Sequence, residues 1–126
     1  MIILTKDQVF LMHGWIYDQY GGSRGVKDDG LLDSALQAPF QTYDGQELHP
    51  TVVGKIVRLG YGLITNHPFV DGNKRIGALA LLTLLELNGY SIEATDQELT
   101  DIIMGVAAGH RSEDDLYSWV INRISM

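Results

Sequence analysis

The sequence predicts an all-α protein, a bundle of about six helices built around a central buried pair. Three observations carry that prediction. Capping residues followed by apolar residues at helical spacing recur along the chain, two of the resulting segments are apolar nearly all round, and only Gly89–Ile92 hints at a strand.

The elements follow in order. Thr5–Gln8 has the form of a capping box, and Val9, Met12, Ile16 and Tyr20 then recur at helical spacing up to Gly21–Gly22. Asp28 or Asp29 can cap a short helix from Gly30 to Ala38, with Pro39 as its stop. Gln41 to His49 reads as a polar, extended flap. Pro50 suits a first helical position, and Val52, Val53, Ile56, Val57, Leu59, Leu63 and Ile64 cover most faces of the helix behind it, ending near Asn66. Asp71 can cap a fourth helix, Gly72 to Asn88, with Gly89 as its stop. Thr95–Glu98 is a second capping box, followed by Leu99, Ile102, Ile103 and Val106 and closed by Gly109. Ser112 caps the last helix, with Leu116, Trp119, Val120 and Ile124 as its buried stripe.

The length of 126 residues is that of one domain, residues 1–126, with no linker or repeat. Nine Lys and Arg against sixteen Asp and Glu give a net charge of −7, which argues against broad binding to nucleic acid or anionic lipid. The charge is uneven: Leu48–Leu85 carries Lys55, Arg58, Lys74 and Arg75 against Asp71 alone, a basic island in an acidic chain. The absence of Cys excludes a disulfide scaffold and thiolate chemistry and fits a reducing cytoplasm. The N-terminus MIILTKDQ lacks the apolar core of a signal peptide, and the run Ile76–Leu85 is too short to span a bilayer, so no membrane partner is expected. Neither a GxxxxGK[ST] phosphate loop nor an HExxH zinc helix occurs, and His13, His49 and His110 have no metal-ligand spacing and read as structural or surface residues.

The basic island encloses His67-Pro68-Phe69-Val70-Asp71-Gly72-Asn73-Lys74-Arg75, the joint between the two buried helices. Pro68 biases His67 away from helix, so His67 falls on a loop facing the next helix's N-terminus. Helix N-termini attract phosphate through unpaired N–H groups and the dipole. Gly72 permits close approach of an anion, Asn73 offers hydrogen bonds, and Lys74 and Arg75 add charge and donors. Asp71 is a hard oxygen ligand suited to magnesium shared with substrate phosphates. Histidine is the side chain whose ordinary pKa suits a general base near neutral pH, which gives that part to His67. Phe69 reads as a plug in the core. Singly, each of these residues has a bland reading, as helix end, cap or solvated charge. Base, metal ligand and anion cradle within nine residues point together to phosphoryl or nucleotidyl transfer.

The stretch HPFVDGNKR resembles the signature loop of the Fic/Doc family, HPFx(D/E)GN(G/K)R, and with Lys74 it is most similar to the death-on-curing (Doc) branch of toxin–antitoxin pairs. Tyr20–Gly25, Asp29–Leu36 and Gly105–Gly109 resemble segments of the same branch. The resemblance implies a Fic/Doc-like helical bundle. It implies ATP with Mg2+ as cofactor, His67 as base, Asp71 as metal ligand, and Gly72, Asn73, Lys74 and Arg75 around the phosphates, with Lys74 among the catalytic groups. Many adenylyltransferases of the family have Gly at the position of Lys74 and a second Arg at that of Ala78. In Doc toxins the changes seen here accompany an opposite placement of ATP, so that the γ-phosphoryl group moves to a threonine of elongation factor Tu and translation stops. None of the five Glu residues lies in the inhibitory pattern [S/T]xxxE[G/N], so restraint is expected from a separate antitoxin chain. AMP transfer through the same loop, or a non-catalytic regulatory module, stays open at this point.

Overall fold

The two most apolar segments form the centre. In a computed structural model, which describes residues 1–126, Val52–Thr65 (α3) and Asn73–Leu87 (α4) pack as an antiparallel pair. Glycine lets them approach closely: a Cβ on Gly60 would lie 3.4 Å from the Gly77 carbonyl oxygen, and one on Gly77 would lie 3.1 Å from that of Gly60 and collide with Ile64. Ile56, Leu63, Ile64, Ile76, Leu81, Leu84 and Leu85 fill the interface and are fully buried.

The other helices cover this pair: Lys6–Tyr20 (α1) lies against α4, and Asp29–Gln37 (α2) against α3. Asp96–Ala107 (α5) touches both central helices, and Glu113–Ile121 (α6) packs on α3 and α5. Thr42–Tyr43 (β1) and Gln46–Glu47 (β2) pair antiparallel, so the polar stretch before α3 is the expected flap. Ser91–Ile92 (β3) pairs with Ile124–Ser125 (β4), which draws the chain's end back to the loop after α4. No helix is long and apolar enough to cross a membrane. The all-α class with six helices is what the sequence predicts.

The capping boxes at Thr5 and Thr95 form as expected, and the expected cap Ser112 forms a third with Asp115; each cap hydroxyl accepts from the third helical amide and that residue's side chain accepts from the cap amide. Asp28, not Asp29, caps α2. Several expectations need correction. α2 stops ahead of Pro39 as expected, but at Gln37 and not Ala38, and Pro39 sits second in a 3-10 turn, Ala38–Phe40, where its missing N–H costs nothing. Pro50 lies outside α3, because the Thr51 hydroxyl accepts from the Gly54 amide and takes the cap position. Ile124 belongs to β4 instead of the stripe of α6, and Tyr20 is exposed at the end of α1.

Two glycines predict opposite outcomes. Gly77→Ala should cost about 1–3 kcal/mol through the collision with Ile64. Gly14, in the middle of α1 with nothing within 4 Å of an added Cβ, should gain about 0.5–1 kcal/mol as Gly14→Ala. Urea unfolding measures both.

The capping boxes also predict a pH dependence. The Thr95 backbone N–H, with the Thr95 hydroxyl and Arg123, holds the Glu98 carboxyl below its ordinary range. The Ser112 backbone N–H does the same for Asp115. A lowered folded-state pKa means that the native state binds fewer protons. The stabilisation is therefore complete above the ordinary carboxylate range and is lost as pH falls through it. The melting temperature should fall from about pH 5 to pH 3, and Glu98→Gln with Asp115→Asn should flatten that slope.

Candidate active site

The joint between α3 and α4 is held from two sides. Its His67 has φ 50, a left-handed conformation uncommon outside glycine, and Pro68 follows it. The Pro68 carbonyl accepts from the amides of Lys27 (2.8 Å) and Asp28 (3.1 Å), and the Val70 amide donates to the Gly25 carbonyl (3.1 Å). Phe69 forms an isolated antiparallel bridge with Val26, and its ring is buried. Its burial contributes roughly 1.5–3 kcal/mol. On the α1 side the ring meets Phe10 edge-on at 6.3 Å and stacks on His13 at 3.9 Å. His13 Nε2 also donates to the Asp71 carbonyl at 2.7 Å.

The start of α4 differs from the sequence expectation. Asp71 does not cap the helix. Gly72 occupies the cap position with φ 78, and no side chain caps the helix. The Asp71 Oδ1 instead accepts from the Gly72 amide at 2.8 Å. Asn73 does not aim its side chain at an incoming anion either. Its Nδ2 donates to the Phe69 carbonyl and its Oδ1 accepts from the Phe69 amide, both at 3.0 Å. The open donors lie one residue further along than expected: the backbone N–H groups of Asn73, Lys74 and Arg75 have no partner within the chain. An uncapped helix N-terminus of this kind offers donors that suit an anion.

His67, Asp71, Gly72, Asn73, Lys74 and Arg75 all line one cavity of about 530 Å³, a size suited to a nucleotide-scale ligand. Ala78 and Val70 join them, and the opposite wall is α5, through Leu99, Thr100, Ile103 and Met104. That wall is absent from the sequence reading. Its one signal was Met104, an apolar residue off the buried stripe of α5 and half exposed. A smaller cavity of about 150 Å³ lies on the α1 side and shares Asp71, Gly72 and Arg75 with the first.

The basic island divides cleanly. Lys55 pairs with Glu47 at 3.0 Å and donates to the His49 carbonyl, which ties the flap to α3. Arg58 pairs with Glu113 at 2.6 Å, which ties α3 to α6. Both are structural. Lys74 and Arg75 have no carboxylate partner; Arg75 lies over the Tyr20 ring at 4.3 Å. They are the two cations of the island whose charge remains available to an anion.

The donor set suits magnesium shared with phosphates better than a protein-built cage. Nowhere do three or more His, Cys, Asp or Glu side chains converge as a metal site. Asp71 offers one carboxylate at the cavity, as expected of Mg2+ bound mainly by substrate and water. Room around it depends on Gly22 (φ 96), where an added Cβ would collide with Asp71 Oδ2.

A helical bundle whose central pair is joined by a histidine-bearing loop, with an uncapped helix start behind it, defines the class. The chain matches the Fic/DOC family over residues 3–85 and belongs to that family. It is similar to Toxin Doc of Mycolicibacterium smegmatis, with 40% identity over 75 residues. That alignment covers 60% of this chain and 58% of the toxin, so it spans less than two thirds of either. The helix α5, which walls the cavity, lies beyond the family match.

Asn73→Ala removes both bonds to Phe69 and leaves a buried peptide short of partners. It should lower stability by about 1–3 kcal/mol in denaturant unfolding.

Proposed function

We propose that this protein is a toxin-like transferase that moves the γ-phosphoryl group of ATP to a hydroxyl of a protein, with a threonine of elongation factor Tu as the target, and so halts translation in the cytoplasm. The observation that carries the reading is one cavity lined by a histidine, a single carboxylate, open helix amides and two unpaired cations. Support for phosphoryl over adenylyl transfer comes from Lys74 and Ala78, which line that cavity at positions where many adenylyltransferases of the family have Gly and Arg.

In this reading His67 accepts the target hydroxyl's proton as that oxygen bonds the γ-phosphorus. The bond from the γ-phosphorus to the β–γ bridging oxygen breaks, and ADP leaves. Asp71 holds Mg2+, which when bound neutralises charge on the phosphates. The amides of Asn73, Lys74 and Arg75 face phosphate oxygens, and the side chains of Lys74 and Arg75 balance their charge; Gly72 leaves the approach clear. Little covalent work falls to the protein in phosphoryl transfer, so positioning and neutralisation suffice. A cognate antitoxin restrains the enzyme, a reading supported by the similarity to Toxin Doc.

Isotope placement tests the reading. Label from [γ-32P]ATP should reach the target protein, and label from [α-32P]ATP should not; α label alone would establish adenylylation instead. His67→Ala should slow transfer by about 10²–10⁴-fold while the melting temperature holds, since His67 is exposed at the cavity's edge. Growth arrest undiminished by His67→Ala would mean that the chain acts without catalysis.

A further inference from the structure

We infer that His13 is a positioning residue for this site, one that sets the Asp71 carboxylate from behind the loop. His13 lies on α1, 58 positions before Asp71, and is only 6% exposed. A carbonyl oxygen can only accept, so the 2.7 Å bond to the Asp71 carbonyl requires a hydrogen on Nε2. The ring is oriented for that bond by stacking within 8° of parallel on Phe69.

The consequence runs through one peptide plane. The Asp71 carbonyl and the Gly72 amide belong to the same planar trans peptide and point in opposite directions. Gripping the carbonyl therefore aims the amide. That amide donates to Asp71 Oδ1 at 2.8 Å and leaves Oδ2 as the free oxygen. Gly72, at φ 78, is a residue type that rotates freely, so the peptide would otherwise be weakly restrained. The imidazole also abuts Gly72: a Cβ there would lie 3.5 Å from His13 Nε2. Among these contacts, only the hydrogen bond from His13 acts on the Asp71–Gly72 peptide from outside the loop.

The inference rests on the reading of Asp71 as the Mg2+ ligand, and its test separates the two. His13→Phe keeps a ring against Phe69 and removes the donor. His13→Gln loses the ring and returns an amide N–H near the position of Nε2. The readouts are thermal unfolding, amide hydrogen exchange at Gly72 by NMR, and the Mg2+ concentration needed for ATP binding by calorimetry. In folded His13→Phe, exchange at Gly72 should rise about ten-fold and the Mg2+ requirement about ten-fold, the size of one lost hydrogen bond. His13→Gln should restore both. In the wild type, 15N spectra of the imidazole should show the hydrogen on Nε2.

Unchanged exchange at Gly72 in folded His13→Phe, or a hydrogen on Nδ1 alone in the wild type, would overturn the inference. If His13→Phe does not fold, His13→Gln decides alone: protection retained at Gly72 supports the role, and protection lost refutes it. If the wild type binds no ATP with Mg2+, the proposed function fails, while exchange at Gly72 still decides the part played by His13.

Discussion

The site depends on the burial of one side chain. Phe69 is held between α1 and the strand-like segment around Val26, and every functional group of the loop takes its place relative to that anchor. Its backbone is fixed by the Asn73 side-chain carboxamide, its ring by Phe10 and His13, and its neighbours Pro68 and Val70 by hydrogen bonds to residues 25–28. A seven-residue connection would otherwise be among the most mobile parts of a helical protein. Here it holds a left-handed His67 and a left-handed Gly72 in the same short span, conformations that persist only when surroundings determine them. The loop is thus a piece of core carrying polar groups on its outer side.

Electrostatics divides along the same line. Four basic residues share the central helices of an acidic chain, and the fold neutralises two of them. Lys55 and Arg58 serve the flap and α6, each through a carboxylate that arrives from a different element. Lys74 and Arg75 stand at the helix start, where the dipole and three open amides already favour an anion. An overall charge of −7 and a local anion site are therefore compatible. Field at short range is set by the unpaired groups nearest the cavity, while more distant charges are screened within about 8–10 Å.

The family match covers residues 3–85, which contain α1, α2, the flap, α3, the loop and α4 up to its last two residues. These elements supply the polar side of the cavity. The opposite wall comes from α5, with Leu99, Ile103 and Met104 facing the polar side across the cavity. One wall is rich in donors and the other apolar, an arrangement that suits a ligand with a charged end and a flat or apolar end.

Much of this was legible in the sequence because it is local. Capping boxes act over three residues, glycine stops act where the chain turns, and the HPFVDGNKR stretch brings its polar groups together by adjacency alone. The six helices, the buried central pair, the flap and the cavity-lining residues from His67 to Arg75 follow from such short-range rules. The assignment of Asp71 as a helix cap failed because its carboxylate turned to the Gly72 amide, and Asn73 became a clamp on Phe69 because the buried peptide needed partners. Both depend on how the loop is packed. The bond from His13 to Asp71 spans 58 positions and that from Arg58 to Glu113 spans 55, while α5 meets the loop only after the bundle closes. Sequence alone determined which polar residues of the loop stand together and which segments are helical. Tertiary structure decided which cations stay unpaired, which amides stay open and what faces them, since each of those outcomes rests on contacts between residues far apart in the chain.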